Sequence, residues 1–235
     1  MGQYYKIINV DRAQYLSPWD FDNGAKLMEW SYVRNHMVLA LLNLLAGEWA
    51  GDRVYVVGDY AEDDTPEEPC YEALHALYDE LGLGKLDEEG YRISLYGYAS
   101  ENFENVSEKV STDLVGYRYI YNHERECYID LENCPLEWEW YNRETGDAGF
   151  SRIAPLPLLI AMGNDRGGGD FHEGNNGYEY VGAWCSSVKS IEVTKELKYE
   201  CYVEFAPNFT ENKEIIPASE EEERIKAIKA KYETK

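Results

Sequence analysis

Positively charged side chains are scarce in this chain. Lys and Arg together number 22 against 45 Asp and Glu, so the formal net charge at pH 7 is −23. Proteins that hold DNA or RNA without sequence preference neutralise its phosphates with a basic face. We therefore expect no direct binding of nucleic acid by a chain with this balance of charges.

Cysteine and histidine are also few, and neither has the spacing of a metal site. The 235 residues contain five Cys and four His, without the C-x2-C or H-x3-H spacing that brings ligands together on zinc. An odd number of cysteines is untypical of a secreted disulfide framework. The sequence predicts reduced thiols in a cytoplasmic protein, with no metal and no other cofactor.

Long apolar runs are missing as well. No stretch approaches the ~18–20 apolar residues that cross a bilayer, and the start, Met-Gly-Gln-Tyr-Tyr-Lys, does not have the pattern of a signal peptide. We therefore expect no membrane association. Aromatic residues are plentiful, with 21 Tyr and 6 Trp in a hydrophobic content of 44%, which is sufficient for a folded core.

The spacing of apolar residues predicts both strands and helices. Runs rich in β-branched and aromatic residues predict strands, at residues 3–9, 14–16, 53–57, 91–98, 116–122, 126–131, 178–183, 190–194 and 199–205. Helical spacing predicts helices, at residues 34–46, 71–81 and 219–232, with a short buried one that begins at Pro157. Asn35 is the predicted N-cap of the first helix. The last helix has a thin apolar stripe, so it is expected to dock weakly or to protrude.

Two parts of the chain resemble each other. Residues 4–16 match residues 117–129 at five identical positions, which are the pairs Tyr4/Tyr117, Ile7/Ile120, Asn9/Asn122, Arg12/Arg125 and Tyr15/Tyr128. Later in each part, Gly47-Glu48-Trp49 and Gly182-Ala183-Trp184 both lead into a predicted strand. We predict an internal duplication of one hairpin–helix–strand unit, whose copies either share one sheet or pack face to face.

These patterns predict the class and the organisation of the fold. Strands arranged as hairpins rather than as βαβ units indicate an α+β fold with mainly antiparallel sheet and a few helices. We expect a single globular domain over residues 1–217, with pseudo-repeats at 1–60 and 115–195 and an inserted segment at 61–114. Residues 218–235 form the predicted C-terminal charged helix, which is compatible with a contact in a homo-oligomer.

The most unusual local sequence is a glycine run that follows an arginine. Three consecutive glycines can turn successive backbone N–H groups towards an anion, and the guanidinium before them can bind phosphate or carboxylate with two hydrogen bonds. The alternative is a flexible surface turn with an Arg–Asp pair. The predicted ligand-binding residues here are Arg166, Gly167, Gly168, Gly169, Asp170 and Phe171.

Arg12 and Arg125 are further candidates, because they occupy equivalent positions in the two predicted hairpin turns. Each can pair with the neighbouring acid, Asp11 or Glu124. Alternatively, the two guanidinium groups can hold a symmetric anion such as a cyclic dinucleotide, with aromatic rings stacked on its bases. A separate stretch, residues 137–140, alternates Glu with Trp and predicts a binding surface if it forms an exposed strand.

Several motifs together resemble those of a known family. They are the initial Met-Gly-Gln-Tyr-Tyr-Lys, the phrase Gly-Glu-Trp-Ala-Gly-Asp-Arg at 47–53 closing on Gly-Asp-Tyr at 58–60, and Arg-Gly-Gly-Gly-Asp-Phe at 166–171 before Val-Gly-x-Trp at 181–184. The chain is similar in these motifs to a family of uncharacterised acidic proteins from bacteria and bacteriophages. The resemblance implies a glycine-rich loop before the first Gly-x-Trp too, and this chain lacks one there.

Three functions remain open on this basis. The first is a non-catalytic acidic binding or inhibitor protein, of phage or bacterial accessory origin, which blocks a basic host protein that handles nucleic acid in defence. The second is a small-ligand binding protein that sequesters a nucleotide or a cyclic nucleotide, a phosphorylated small molecule, at the glycine loop and the two arginine turns. The third is a metal-assisted hydrolase that uses Asp170 and His172. No catalytic signature stands out.

Overall fold

The structure, a computed structural model, describes residues 2–61, 71–84, 93–134, 136–163, 177–205 and 221–233. It confirms the predicted α+β fold. In chain order the strands are β1 (Tyr5–Asn9), β2 (Gln14–Leu16), β3 (Val54–Gly58), β4 (Glu104–Asn105), β5 (Tyr119–Asn122), β6 (Cys127–Asp130), β7 (Glu137–Tyr141), β8 (Ala148–Arg152), β9 (Ala161–Met162), β10 (Ile191–Thr194) and β11 (Val203–Glu204). The helices are α1 (Leu27–Trp30), α2 (His36–Leu45), α3 (Tyr71–Leu81), α4 (Leu95–Asn102), α5 (Pro155–Leu159) and α6 (Glu221–Glu233).

The strands form two separate sheets and a two-stranded hairpin. The first sheet has the order β4-β2-β1-β3-β9, the second has the order β10-β5-β6-β11, and β7 pairs with β8. We refer to β1, β2, β3 and β4 as the first unit, and to β5, β6, β10 and β11 as the second unit. In each unit a hairpin has an antiparallel strand on one side and a short parallel strand on the other.

The strand register is the same in the two units. Asn9 pairs with the first residue of β2 and the first residue of β3, and Asn122 pairs in the same way with the first residues of β6 and β10. The residue before the second strand has a positive φ in both hairpins, 51° at Ala13 and 50° at Glu126. The internal duplication itself stays a prediction, and these correspondences are the observations that favour it.

Two of the predicted helices are confirmed by their boundaries and caps. The side chain of Asn35 accepts a hydrogen bond from the backbone N–H of Met37 at 2.9 Å, as an N-cap residue should. Helix α3 begins and ends at the predicted residues. Among the described helices, none has both the length and the apolar character that crossing a membrane requires.

Two predicted strands are wrong, and a third is confirmed over two residues. Residues 91–98 were expected to be extended, but Ser94 caps helix α4 by accepting from Gly97 N at 3.1 Å, and Leu95 and Ala99 are buried one turn apart. Residues 178–183 form a 3-10 turn and loop after Gly177, whose φ is +86°. Of residues 199–205, the two residues of β11 alone are strand. In each segment tertiary contacts decide the conformation over β propensity.

The short buried helix begins two residues earlier than predicted. Helix α5 starts at Pro155 rather than at Pro157, because proline is well tolerated in the first turn of a helix, where its missing N–H has no partner to lose. Strand β9 then leaves α5 and joins the first sheet beside β3. The second half of the chain therefore contributes an edge strand to the sheet of the first half.

A single continuous core joins the two units. Helix α2 of the first half contacts β10 of the second unit, and α5 of the second half contacts β3 of the first. Between the two helices, Tyr32 and Ile153 form an antiparallel bridge, in which Val33 N donates to Arg152 O at 2.9 Å and Ala154 N donates to Ser31 O at 2.8 Å. Each half thus packs its helix on the sheet of the other.

The C-terminal helix α6 lies on the β7–β8 hairpin. Its Ile228 is buried, its Tyr232 stacks on Tyr141, and its Arg224 lies 2.7 Å from Glu137 and over the ring of Phe150. Helix α6 therefore covers much of the acidic side of the Glu–Trp stretch, whereas Trp140 of the same stretch is 41% exposed. The predicted start of this helix, at residue 219, lies outside the described residues.

Candidate functional site

A cavity of about 330 Å³ lies where the first half of the chain meets the second unit. Small-molecule sites commonly have volumes of roughly 300–1,000 Å³ and often lie between structural units. The residues that line the cavity are Val33, Arg34, Val38, Leu39, Leu42, Leu114, Val115, Gly116, Tyr117, Arg118, Ile120, Leu131, Glu132, Arg152, Ala154, Pro155 and Leu156.

The interior of the cavity is apolar. Val38 and Leu42 project from α2, Ile120 comes from β5, and Ala154 and Leu156 come from the start of α5; all five are buried. The helical spacing of Val38 and Leu42 puts them on one face of α2. The Tyr32–Ile153 bridge holds the residues just before α2 in place. This positions the helix so that the face with Val38 and Leu42 points to the second unit.

Arg34 lies at the entrance, immediately before the N-cap of α2. Its side chain is exposed, and it makes no hydrogen bond or ion pair with any side chain in the described part of the chain. Its φ of +71° lies in the left-handed region, which a residue with a long side chain seldom adopts. A guanidinium without a partner and a strained backbone at a cavity entrance are both features associated with ligand sites.

Arg118 forms a second cationic side of the cavity, but its charge is paired. It donates to Asp130 through Nε at 3.0 Å and through Nη2 at 2.8 Å, and its Nη1 lies 2.8 Å from Glu132 Oε2. Burial raises the pKa of Asp130, but the hydrogen bonds from Arg118 and from the Glu132 N–H outweigh it, so this pKa is lowered overall. The bonds between Arg118 and Asp130 hold the end of β6 in place beside the cavity.

Arg152 provides a third guanidinium with a different set of partners. Its Nη2 donates to the carbonyl oxygens of Leu131, Glu132 and Cys134, at 2.7, 2.8 and 3.3 Å. Carbonyl groups satisfy the donors of a guanidinium but do not cancel its charge. In the described structure Arg152 therefore adds positive charge to the cavity wall while it stabilises the turn after β6.

The outer wall is formed by an exposed apolar segment. Leu114 is 62% exposed and Val115 is 37% exposed, and Gly116 follows with φ +79°. Asn43 of α2 anchors the segment by donating to the backbone oxygens of Ser111 and Asp113, at 2.8 and 3.2 Å. Two neighbouring aliphatic side chains are therefore held at the entrance, where an apolar ligand could cover them.

The two predicted arginine turns are structural supports in the described part of the chain. Arg12 donates to Asp52 at 2.6 Å, while Asp11 accepts from Arg53 at 2.9 Å, so the predicted pairing of Arg12 with Asp11 is wrong. Arg125 donates to the hydroxyls of Ser187 and Ser186, at 3.1 and 3.3 Å, rather than pairing with Glu124. Each arginine is bonded within its own unit, and no contact joins the two.

The glycine-loop prediction lies outside the described residues. This applies to Arg166, Gly167, Gly168, Gly169, Asp170 and Phe171, and also to His172, so the nucleotide and hydrolase hypotheses stay predictions. Over the ranges that the structure covers, no group of three or more His, Cys, Asp or Glu is arranged to hold a metal ion.

Sequence reasoning missed the cavity because its walls come from four separate stretches of the chain. A weak signal was present, since Leu114 and Val115 form an apolar pair in an otherwise polar region and Arg118 follows them closely. The comparisons with known proteins add nothing to the assignment: the chain matches no family model, no curated protein and no solved structure.

Proposed function

We propose that this protein is a non-catalytic binding protein that holds a small, largely apolar molecule in the cavity between its two halves. The observation that carries the proposal is the cavity itself, which has buried aliphatic side chains inside and exposed Leu114 and Val115 at its entrance. Burial of apolar ligand surface supplies roughly 25 cal/mol per Å². The cavity thus has the chemistry to retain such a molecule.

The lining also favours binding over catalysis. Its described residues include no Ser, Cys, His, Lys or Asp, and Glu132 faces Arg118 at 2.8 Å. A nucleophile beside a general base is the usual arrangement for covalent catalysis, and this set of side chains contains no such pair. The proposal therefore specifies a class of ligand and no reaction.

A neutral fluorescent probe, N-phenyl-1-naphthylamine, tests the proposal. We expect its emission to rise on binding, and Leu39→Trp to weaken its affinity about tenfold, because Leu39 faces the cavity but lies outside the main core cluster. Leu197→Trp is the matched control, since Leu197 is 45% exposed and does not line the cavity.

A second variant keeps the test decisive if Leu39→Trp does not fold. Leu114→Glu places a charge at the exposed entrance and should also weaken the probe, with little change in far-ultraviolet circular dichroism. Binding of the probe with equal affinity by the wild type and both cavity variants contradicts the proposal, as does a wild type that does not bind it.

The charge of the chain favours a second candidate function, the blocking of a basic protein that handles nucleic acid. Many of the described cations already have carboxylate partners, as in the pairs Arg12–Asp52, Arg53–Glu80, Arg118–Asp130 and Lys198–Glu192. With a net charge of −23, a large surplus of carboxylates has no Lys or Arg to pair with. Such a surface attracts a basic partner, and the attraction weakens with salt.

Displacement of a fluorescent DNA duplex from a small basic DNA-bending protein tests this second function. The chain should release the duplex at low salt and lose this effect as salt is added. Polyglutamate is the control polyanion. Equal release by polyglutamate at the same charge concentration, or capture that is indifferent to salt, argues against a dedicated blocking surface.

A further inference from the structure

The cavity carries positive charge in a strongly negative protein. Three arginines and one glutamate line it, whereas the chain as a whole has 45 acidic and 22 basic side chains. Clefts with low-dielectric walls concentrate the field of their charges. A cavity that binds only neutral molecules does not need walls whose charge is opposite to the net charge of the protein.

From this contrast we infer that the ligand is a medium-chain apolar molecule with one anionic head, a carboxylate or a phosphate, which Arg34 binds at the entrance. The inference rests on the proposed function and specifies its ligand. The tail lies among Val38, Leu42, Ile120 and Leu156, and the head lies at the mouth, where charge stays close to water.

The three arginines have different roles in this arrangement. Arg118 is held by Asp130 and Glu132, and Arg152 by three carbonyl oxygens. Both fix the wall: Arg118 is paired with two carboxylates, and the hydrogen bonds of Arg152 within the described residues are made by its Nη2. Arg34 has its whole planar fork available among the described residues, and such a fork binds carboxylate or phosphate with two parallel hydrogen bonds.

Helix α2 reinforces the same preference. Arg34 directly precedes the N-cap Asn35, so the N-terminal end of a ten-residue helix lies beside the entrance. The helix dipole places partial positive charge at that end. The helix end therefore adds to the positive potential on the Arg34 side of the cavity.

The volume limits the length of the tail. The cavity of about 330 Å³ lies near the lower end of the roughly 300–1,000 Å³ that is common for small-molecule sites, so it accepts a compact ligand or a single short chain. This suits a chain of about eight carbons with its head at the mouth. It excludes complete enclosure of a two-chain lipid.

Competition against N-phenyl-1-naphthylamine with a matched series of octyl compounds tests the inference. The series is octanoate, octyl phosphate, 1-octanol and octylammonium, with butyrate as a head group that lacks the tail. We expect the two anions to bind about tenfold more tightly than octanol, and octylammonium and butyrate to bind weakest. The order of octanoate and octyl phosphate identifies the preferred head.

The variant Arg34→Gln tests whether Arg34 binds the anionic head group. It should weaken octanoate about tenfold while octanol changes less than twofold, and Arg34→Lys should recover part of the loss. Arg143→Gln is the matched control, because Arg143 is exposed, lies in the turn between β7 and β8, and does not line the cavity. It should leave both affinities unchanged.

The outcomes separate this inference from the proposed function. If the neutral probe and octanol bind but octanoate binds no better, or if Arg34→Gln affects both alike, the anionic ligand class is wrong and the binding function stands. If neither the probe nor any octyl compound binds, the binding function itself is wrong.

Discussion

The two units build the same hairpin turn with different chemistry at its base. In the first unit, Asn9 Nδ2 and Arg12 Nε both donate to a carboxylate oxygen of Asp52, at 2.9 and 2.6 Å. Asn9 Oδ1 also accepts from the backbone N–H of Arg12 at 3.0 Å. The turn is thus closed by an asparagine and tied to the following loop by an ion pair.

In the second unit the same donors meet a hydroxyl. Asn122 Nδ2 and Arg125 Nε donate to Ser187 Oγ, at 2.8 and 3.1 Å, and Asn122 Oδ1 accepts from Arg125 N at 3.2 Å. Ser187 stands three residues after Trp184, as Asp52 does after Trp49. The comparison shows that the turn requires an acceptor at this place and does not require a negative charge.

The two units also differ in whether the N–H of a buried tryptophan has a hydrogen-bond partner. Trp49 is buried and its indole N–H donates to Gln14 Oε1 at 2.9 Å. Trp184 is equally buried, but its indole N–H has no partner among the described residues. Cys127 holds in the second hairpin the position that Gln14 holds in the first. Within the described part of the chain, one unit therefore satisfies its buried indole N–H and the other does not.

The largest expected effect comes from removing either tryptophan. Trp49→Ala and Trp184→Ala should each lower the free energy of unfolding by about 3–5 kcal/mol, because both leave a large cavity in the core. Urea denaturation measures the loss. Trp19→Ala is the control, since Trp19 is 57% exposed, and it should lose about 1 kcal/mol or less. If Trp49→Ala or Trp184→Ala loses as little stability as Trp19→Ala, the structural correspondence between the two units is contradicted.

Substitution by phenylalanine sharpens the comparison. Trp49→Phe removes a made hydrogen bond, whereas Trp184→Phe removes a buried N–H that has no partner in the described structure. The loss of stability should be about 1–2 kcal/mol greater for Trp49→Phe. The same denaturation experiment measures it. Equal losses for the two variants indicate that the indole of Trp184 is satisfied after all.

Acid should destabilise both units, and a hydrogen-bonded aspartate in each contributes to the effect. Burial raises the pKa of Asp11 and of Asp130, but hydrogen bonds from Arg53 and Arg118 outweigh it and lower both values overall. This stabilisation is present above the unfolded pKa of about 3.9 and is lost as the pH falls through the lower folded value.

The free energy of unfolding should decline between about pH 5 and pH 2, and this decline should be shallower in Asp11→Asn and in Asp130→Asn than in the wild type. Urea titrations at a series of pH values measure the slope. Glu101→Gln, at an exposed position of α4, is the control and should keep the slope of the wild type. A steeper decline in either aspartate variant has the wrong sign.

The smallest effect concerns the thiols. Burial raises the pKa of Cys127 and of Cys134 to about 11 in each case, so almost no thiolate forms at neutral pH. Cys201 is exposed. Iodoacetamide at pH 7.5 should modify Cys201 first and the two buried thiols only on unfolding, as peptide mass spectrometry would show. Early modification of Cys127 means that the second hairpin opens more readily than the first.

Much of the fold could be predicted because its signals are local. The hairpins of both units, the cap at Asn35 and the ends of α3 depend on side-chain spacing and turn chemistry within about a dozen residues. The failures lie where local signals are ambiguous. Residues 91–98 have strand-like composition, yet burial of Leu95 and Ala99 against the rest of the core selects helix α4.

The candidate site was much less predictable than the fold. Its walls come from the approach to α2, from residues 114–118, from the end of β6 and from β8 and α5. Nothing in the spacing of these stretches relates one to another. The predicted arginine turns, by contrast, follow from the similarity of two stretches, and similarity does not show that Asp52 and Ser187 accept hydrogen bonds from them.

By itself the sequence determined the charge, the α+β class, the presence of two matching hairpins and the amphipathic faces of α2 and α3, because each follows from composition or from the order of residues along the chain. The tertiary structure alone decided where an apolar cavity remains and which of the arginines that line it keeps all its donors available among the described residues. Both depend on the packing of each half's helix on the other half's sheet, and that packing brings together residues that are far apart in sequence.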